Sequence, residues 1–341
     1  RQMCIRDRSF IILSFFDLYI ILCNNSLLFA LCILDRNEML PYNKIKLEGG
    51  LFLLNRNEIK IRDPFIVVEN DTYYMFGTTD NCWEYPASSF SYYKSIDLEH
   101  FDGPYTAFER SQDFWADMNF WAPEVHRYAG KYYMFATFYA RDKRRRRGTQ
   151  ILASDTIQGP YLPISDSPVT PAGWECLDGT LFLQDGKPYL VFCHEWLQVF
   201  DGTICAMELS SDLTAAISKP TTLFSASEAG WPASHEKKDD KPCYVTDGPF
   251  FYTNSKNELI MLWSSFHNGK YAIGQSISKE GLFGSWKHIQ SPLYSNDGGH
   301  GMVFETLDNR LMLSIHKPNT TPYERAEFIE LIENNGILEV K

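Results

Sequence analysis

The sequence is poor in the features that mark several large classes of protein. Its 341 residues hold 32 Lys and Arg against 43 Asp and Glu, which gives a formal net charge of -11 and a pI near 5.2. A chain of this balance without a compensating basic domain is not expected to bind nucleic acid, because phosphate backbones attract basic surfaces. No long stretch shows the sustained period of an amphipathic helix, which argues against a helical fold.

Neither the cysteines nor the basic residues form a recognisable site. None of the eight cysteines belongs to a CxxC pair or a cluster of metal-binding type. Mostly reduced thiols are therefore expected. The one concentrated positive charge is the run KRRRR at 143–147, which predicts a solvated loop between two strands.

The first 38 residues differ from the rest of the chain. Residues 9–34 are strongly apolar, yet no small-residue cleavage site is evident, and a membrane span would have to bury Asp17. The opening RQMCIRDR resembles translated adapter read-through. We therefore predict an apolar segment at 1–38, either artefactual or a targeting or anchor segment, and a single domain at 39–341. Localisation is cytoplasmic in the first case and exported or membrane-anchored in the second.

What the chain does contain is one sequence motif that recurs five times with variation. A short turn followed by an aromatic and apolar strand recurs as DTYYMFGTT at 71–79, GKYYMFATF at 130–138, GKPYLVFCH at 186–194, NELIMLWSSF at 257–266 and NRLMLSIH at 309–316. Each copy follows another apolar strand that begins at a polar landmark. The landmarks are RDP at 62–64, WAPE at 121–124, LDG at 177–179, TDGP at 246–249 and GGHG at 298–301. Repetition of this kind predicts an all-β fold, a five-bladed β-propeller of four-stranded antiparallel blades.

The landmarks carry carboxylates that a propeller would bring together. The first strand of each blade lies nearest the axis, so the starts of these strands meet at one mouth of the central channel. Asp63, Asp178 and Asp247 are then expected at the same mouth. Glu195, at the end of the second strand of the third unit, is expected beside Asp178 because neighbouring strands run antiparallel. Hydrolysis of a glycosidic bond needs one ionised and one protonated carboxyl group, and this mouth would supply both.

The motifs IRDPF at 61–65, WAPEVH at 121–126, LDG at 177–179 and GHG at 299–301 together resemble glycoside hydrolase family 43, over about residues 58–317. The resemblance implies a five-bladed propeller that acts with inversion on arabinose- or xylose-containing plant polysaccharides or oligosaccharides. The candidate activities are α-L-arabinofuranosidase, β-xylosidase and endo-arabinanase. It also implies that Asp63 is the general base and that Asp178 orients the acid and raises its pKa.

The general acid is where the sequence departs from the family pattern. The family has Glu-Gly-Pro at the start of the fourth blade, where this chain has Asp247-Gly248-Pro249. Aspartate is one methylene shorter, and proton transfer tolerates little misplacement. Glu195 offers a substitute, because burial near Trp196 would raise its pKa. The first choice for the acid is therefore Glu195, and Asp247 is the alternative.

The remaining site predictions concern substrate and metal. Sugar contacts are expected from Arg62, Trp83, Trp121, Trp196 and His300. His300 is also a tentative ligand of a structural calcium near the propeller axis, as in some members of the family, although calcium prefers several oxygens; no cofactor is required for the reaction. The expected partner is an oligosaccharide or polysaccharide, and the sequence does not indicate an oligomeric state. A non-catalytic carbohydrate-binding propeller and a glycoside phosphorylase are the alternative functions.

Overall fold

The computed structural model describes residues 53–79, 86–142 and 145–341, together with the backbone of three short strands nearer the N-terminus. These strands are β1 (Phe10–Phe15), β2 (Leu18–Cys23) and β3 (Ser26–Phe29), and they form an antiparallel sheet in the order β1-β2-β3. The rest of the predicted N-terminal segment lies outside the described residues, as does the stretch 39–52. None of the helices in the described part of the chain is long and apolar enough to cross a bilayer.

In the described part of the unit Leu54–Lys341, five antiparallel sheets form the blades, and a sixth sheet is a small two-stranded hairpin. Blade 1 contains β4 (Leu54–Asn55), β5 (Arg62–Glu69), β6 (Thr72–Thr78), β7 (Ser89–Ser95) and β8 (His100–Glu109). Blade 2 contains β9 (Met118–Tyr128), β10 (Lys131–Tyr139), β11 (Gly148–Ser154) and β12 (Leu162–Pro163). Blade 3 contains β13 (Cys176–Gln184), β14 (Lys187–His194), β15 (Thr203–Glu208) and β16 (Thr221–Ser225).

Short elements and two further blades complete the unit. The helix α1 (Trp196–Val199) lies within blade 3, between β14 and β15, and the hairpin of β17 (Glu236–Lys238) and β18 (Lys241–Cys243) lies between blades 3 and 4. Blade 4 contains β19 (Asp247–Thr253), β20 (Leu259–His267), β21 (Lys270–Ser278) and β22 (Trp286–His288). Blade 5 contains β23 (Gly299–Glu305), β24 (Leu311–Lys317), β25 (Arg325–Asn334) and β26 (Ile337–Val340). Single 3-10 turns occur at Arg56–Glu58 and Ala226–Ala229.

The order of strands confirms the predicted five-bladed propeller. Within each blade, consecutive strands of the chain pair with one another. The five repeated sequence motifs form the second strands of the five blades, β6, β10, β14, β20 and β24. The one addition is β4, which pairs with the outer strand β8 of blade 1. The first strands β5, β9, β13, β19 and β23 pack against one another in succession, and β23 packs against β5 to close the ring.

Ring closure depends on contacts between blades 5 and 1, because these two sheets share no strand. Arg62 Nη1 lies 2.8 Å from Glu324 Oε1, and both side chains are largely buried. Ser314 Oγ donates to the carbonyl of Pro64 at 2.7 Å. These polar contacts supplement the apolar packing of β23 and β24 against β5, and they place Arg62 beside the axial mouth.

Aromatic side chains fill the space between blades 1 and 2. Phe138 on β10 is fully buried. Its ring lies 5.6 Å from Phe90 and 5.9 Å from Phe108 of blade 1, and 4.8 Å from Phe120 of its own blade, each edge to face. Such pairs add favourable ring geometry to the burial of apolar area. The contact between these two blades is therefore a packed core.

Replacement of Phe138 by Ala is expected to lower the free energy of unfolding by about 3–5 kcal/mol, because it removes a buried ring and leaves a cavity. Urea denaturation measures the loss. Phe283→Ala is the matched control, because Phe283 is 48% exposed and should cost less than about 1 kcal/mol. Equal effects of the two substitutions would contradict the packing described here.

Candidate active site

Every first strand of a blade carries a β-bulge at its polar landmark. The ladder between first and second strands is interrupted just after Arg62, Trp121, Leu177, Asp247 and Gly299. The residue that follows has a positive φ in all five blades: Asp63 (52°), Ala122 (44°), Asp178 (53°), Gly248 (53°) and His300 (47°). A bulge re-aims the side chains around it, so the same local irregularity positions a functional group in several blades.

The backbone amide of each bulged residue donates a hydrogen bond to a side chain of the preceding blade. The five bonds are Asp63 N to His316 Nδ1 (3.2 Å), Ala122 N to Thr78 Oγ1 (2.7 Å), Asp178 N to Thr137 Oγ1 (2.9 Å), Gly248 N to Asp178 Oδ2 (3.1 Å) and His300 N to Ser264 Oγ (2.7 Å). Left-handed backbone is strained for residues with a Cβ and persists only where its surroundings hold it. This circle of bonds supplies that restraint.

The bulges open onto one pocket of about 390 Å³ at the axial mouth. Its lining includes all of the sequence-predicted site residues that the structure describes: Arg62, Asp63, Trp121, Asp178, Glu195, Trp196, Asp247 and His300. Trp83, also predicted to contact sugar, lies outside the described residues. The carboxylates that are distant in sequence therefore line one mouth, as expected. A cavity of this size accommodates a small ligand.

Asp63 is held as a carboxylate by its contacts. Thr78 Oγ1 donates to Asp63 Oδ2 at 2.7 Å, and His300 Nδ1 lies 3.2 Å from Asp63 Oδ1. Burial by itself would raise the pKa of Asp63, but the positive charge of His300, the contact with His316 and the charge of Arg62 outweigh it and hold that pKa well below its usual range. Asp63 is therefore ionised at neutral pH.

His300 lies between two of the carboxyl groups. Its Nδ1 is 3.7 Å from Asp178 Oδ2 as well as 3.2 Å from Asp63 Oδ1. Burial opposes a charge on the ring, yet Asp63, Asp178 and Asp247 raise the pKa of His300 above its ordinary value. A protonated His300 thus lowers the repulsion between the carboxylates around it.

Asp178 and Asp247 bind protons far more readily than Asp63 does. Burial raises the pKa of Asp178 to about 6, with His300 opposing the rise and Asp63 adding to it. Burial and the negative charge of Asp178 raise the pKa of Asp247 to about 7. The hydroxyl of Tyr271 donates to Asp247 Oδ2 at 2.9 Å. The mouth therefore holds carboxyl groups whose pKa values are driven apart, which is the condition for assigning one as base and another as acid.

Glu195 reaches the same pocket from the end of β14, just before α1, and it is paired with a cation. Its Oε2 lies 2.5 Å from Arg147 Nη1, and the centre of the Arg147 guanidinium lies 4.7 Å from the ring centre of Trp121. Burial raises the pKa of Glu195 to about 7 although Arg147 opposes the rise. Glu195 lines the pocket together with Asp178, as predicted from the antiparallel pairing of β13 and β14.

The prediction of a solvated loop at 143–147 is correct for two of these residues and wrong for a third. The segment does connect β10 to β11, and Arg145 and Arg146 are exposed. Arg147, in contrast, lines the pocket with a side chain only 13% exposed, because Glu195 and Trp121 draw it inward. The first two residues of the run, 143 and 144, lie outside the described residues.

Sequence reasoning missed Arg147 and Tyr271. Tyr271 lies on the third strand of blade 4, away from every landmark, so that no pattern marked it. Its ring stacks on His316 at 5.5 Å, and an aromatic row continues outward through Phe266 and His235 to Trp196. This row forms one wall of the pocket and offers flat faces to a sugar ring.

The side chains around His300 do not fit a calcium ion. Within the part of the chain that the structure describes, no three His, Cys, Asp or Glu side chains are arranged to hold a metal. The His300 Nδ1 is occupied by Asp63 and Asp178, and calcium prefers six to eight oxygens, roughly. The calcium stays a prediction from the sequence, and no step below depends on it.

A propeller that gathers a carboxylate of low pKa and three carboxyl groups of raised pKa in one sugar-sized pocket has the parts of a glycoside hydrolase. The sequence profile described as "Glycosyl hydrolases family 43" matches residues 57–336. The chain therefore belongs to glycosyl hydrolase family 43 and is a glycosidase. Comparison with the curated proteins gives no match.

Solved structures of the same fold support this placement. An endo-arabinase from Bacteroides thetaiotaomicron VPI-5482 is 41% identical, with a TM-score of 0.76, over 83% of this chain and 98% of that one. A thermostable family-43 glycoside hydrolase is 23% identical, with a TM-score of 0.69, over 83% and 93%. An α-L-arabinofuranosidase from Lactobacillus brevis is 17% identical, with a TM-score of 0.64, over 82% and 94%. The last two likenesses show the fold.

Replacement of His300 by Gln is expected to raise the pKa of Asp63 by roughly 1 or more, because the variant loses the positive charge that most favours the ionised carboxylate. NMR titration of protein with ¹³C-labelled aspartate measures this directly. His288→Gln, on the outer strand β22 of blade 4, is the control and should leave Asp63 unchanged. An Asp63 that titrates alike in the wild type and in His300→Gln would contradict the electrostatic role given to His300.

Proposed function

We propose that this glycosidase is an inverting enzyme that acts on arabinose- or xylose-containing polysaccharides or oligosaccharides, with arabinan as the favoured substrate. The observation that carries the proposal is the pocket itself, which holds the ionised Asp63 together with Asp247, a carboxyl group that retains a proton near neutral pH. The structure at 41% identity is named an endo-arabinase, which favours arabinan over xylan.

In this mechanism Asp63 activates water. Its carboxylate accepts a proton from a water molecule as the water oxygen bonds to the anomeric carbon, from the side opposite to the leaving group. Thr78 and His300 fix the two oxygens of Asp63, so the base is oriented before substrate binds. An acid on the other side protonates the glycosidic oxygen as its bond to the anomeric carbon breaks. Acid and base are typically about 6.5–9.5 Å apart in inverting enzymes.

The contacts favour Asp247 as that acid. Asp247 lies against Asp178, whose negative charge helps to keep it protonated, and the Tyr271 hydroxyl orients it. Asp178 also accepts the amide of Gly248, which fixes the backbone next to Asp247. Glu195, the first choice from sequence, is bound to the permanent charge of Arg147, which favours its ionised form. Glu195 remains the alternative acid.

Purified protein is expected to hydrolyse aryl α-L-arabinofuranosides and arabinan without added phosphate and to release the sugar with inverted anomeric configuration. Proton NMR of the first product identifies the anomer. Asp63→Asn should lower kcat by about 10²–10⁴-fold, because it removes the general base.

Three outcomes of this experiment would contradict the proposal. Turnover that requires phosphate would indicate a phosphorylase. Saturable sugar binding without turnover would indicate a non-catalytic propeller. Faster cleavage of aryl β-xylosides and xylan than of the arabinose-containing substrates would overturn the preference for arabinan.

The acid is identified by its dependence on the leaving group. Asp247→Asn should slow hydrolysis of arabino-oligosaccharides by about 10²–10⁴-fold, while aryl arabinosides with good leaving groups, which need no proton, retain most of their rate. Kinetics on a series of aryl leaving groups measures the difference. If Glu195→Gln shows this pattern and Asp247→Asn does not, the assignment reverses.

A further inference from the structure

The pair formed by Arg147 and Glu195 has no part in the reaction described above, although both side chains form the pocket wall. Arg147 precedes β11 of blade 2, and Glu195 follows β14 of blade 3, so the pair bridges two blades. Both side chains are largely buried, at 13% and 8% exposure. A buried ion pair is often no more stabilising than apolar residues in its place. Its position at the pocket therefore suggests a role in binding.

The side chains of Arg147 and Glu195 have hydrogen-bonding groups that are not used by the contact between them. Among the described residues, the buried Arg147 Nε has no hydrogen-bond partner, and Arg147 Nη2 makes a long contact of 3.4 Å with Asn119. Glu195 accepts the bond from Arg147 at its Oε2, and a carboxylate has about four lone-pair sites, so it can accept further hydrogen bonds. Buried polar groups in native proteins are nearly always satisfied. Arg147 thus has an unused donor, and Glu195, which lines the pocket, has unused acceptor capacity.

The stacking of Arg147 on Trp121 holds this arrangement in place. The guanidinium lies 4.7 Å from the ring centre of Trp121, which itself is fixed by the bulge at Ala122. A cation over an indole face is attracted to it. Arg147 is thus held on one side by an aromatic face and on another by the Glu195 carboxylate.

We propose that Arg147 is a positioning residue that keeps the Glu195 carboxylate ionised and aimed into the pocket, where it accepts hydrogen bonds from hydroxyl groups of a bound pentose oligomer. Vicinal sugar hydroxyls each donate and accept, and a carboxylate paired with a guanidinium presents both functions next to each other. This inference rests on the proposed function for the identity of the ligand.

The charges that face Glu195 explain why Arg147 is needed. Burial and the carboxylates Asp247 and Glu175 disfavour the ionised form of Glu195, and Arg147 is the cation that favours it. Without Arg147, Glu195 would carry a proton at neutral pH and would present a donor where the sugar needs an acceptor. A rise in pH would remove this proton from Glu195 and restore the acceptor.

The test measures binding of arabino-oligosaccharides by calorimetry to protein that carries Asp63→Asn and so turns over too slowly to interfere. Adding Arg147→Gln should weaken binding about tenfold or more at pH 7–8, where Glu195 is ionised beside Arg147 and protonated without it, and should allow recovery at more alkaline pH. Adding Glu195→Gln should weaken binding similarly at every pH. Arg147→Lys should restore part of the affinity, because it returns a positive charge. Protein with Asp63→Asn, Arg147→Gln and Glu195→Gln together should bind no more weakly than the weaker of the two double variants that carry Arg147→Gln or Glu195→Gln, since the residues act as one unit.

Arg146→Gln is the matched control. Arg146 belongs to the same basic run and pairs with Glu175 at 2.7 Å, but it is exposed and does not line the pocket, so binding should be unchanged. Should Arg147→Gln prevent folding, the variant with both Arg147→Gln and Glu195→Gln leaves no unpaired buried charge and serves in its place. Parental affinity in that variant would overturn the inference, as would pH-independent weakening by Arg147→Gln.

Kinetics separates failure of this inference from failure of the proposed function. If Glu195→Gln slows natural substrates and spares aryl glycosides with good leaving groups, Glu195 is the acid and the inference is overturned. If the wild type hydrolyses no pentoside, yet Arg147→Gln still lowers oligosaccharide binding with the stated dependence on pH, the proposed reaction fails and the binding role of the pair stands.

Discussion

Five backbone hydrogen bonds, one at each junction between blades, determine the geometry of the pocket. In each, the amide of a bulged residue donates to a side chain of the blade before it. Four of the bulged residues carry a Cβ in left-handed backbone, and they are strained unless neighbouring groups hold them. The propeller supplies that neighbour every time. Asp63, Asp178 and His300 consequently occupy equivalent positions in blades 1, 3 and 5, while Asp247 stands one position earlier in blade 4.

One junction differs from the others, and it joins Asp178 to blade 4. Across the ladder from each landmark, the second strands carry Thr78, Thr137, Cys193, Ser264 and His316. Four of these accept the amide of the next blade. A thiol is a weak acceptor, and at the Cys193 position the carboxylate of Asp178 takes the amide of Gly248 instead. The carboxylate that, after burial, does most to raise the pKa of Asp247 therefore also accepts a hydrogen bond from the backbone next to it.

The sequence was sufficient for the parts of the site that the repeat itself specifies. Five landmarks at corresponding places predicted the propeller, and the propeller geometry predicted that Asp63, Asp178 and Asp247 meet at one mouth. It was insufficient where a side chain enters the pocket from outside the repeat. Tyr271 lies on a third strand, with no motif around it. Arg147 belongs to a basic run, and such runs are usually solvated. Its position in the pocket follows from its contacts with Glu195 and Trp121, which only the structure shows.

The choice between Glu195 and Asp247 shows why composition around a carboxyl group does not assign its role. Both are acidic residues at strand ends, both are buried, and burial raises the pKa of each to about 7. What separates them is the nearest charge. Asp247 faces the carboxylate of Asp178, which favours a proton, whereas Glu195 faces the guanidinium of Arg147, which expels one. Because the charge of Arg147 is permanent, it favours the ionised form of Glu195, whereas the charge of Asp178 favours the protonated form of Asp247.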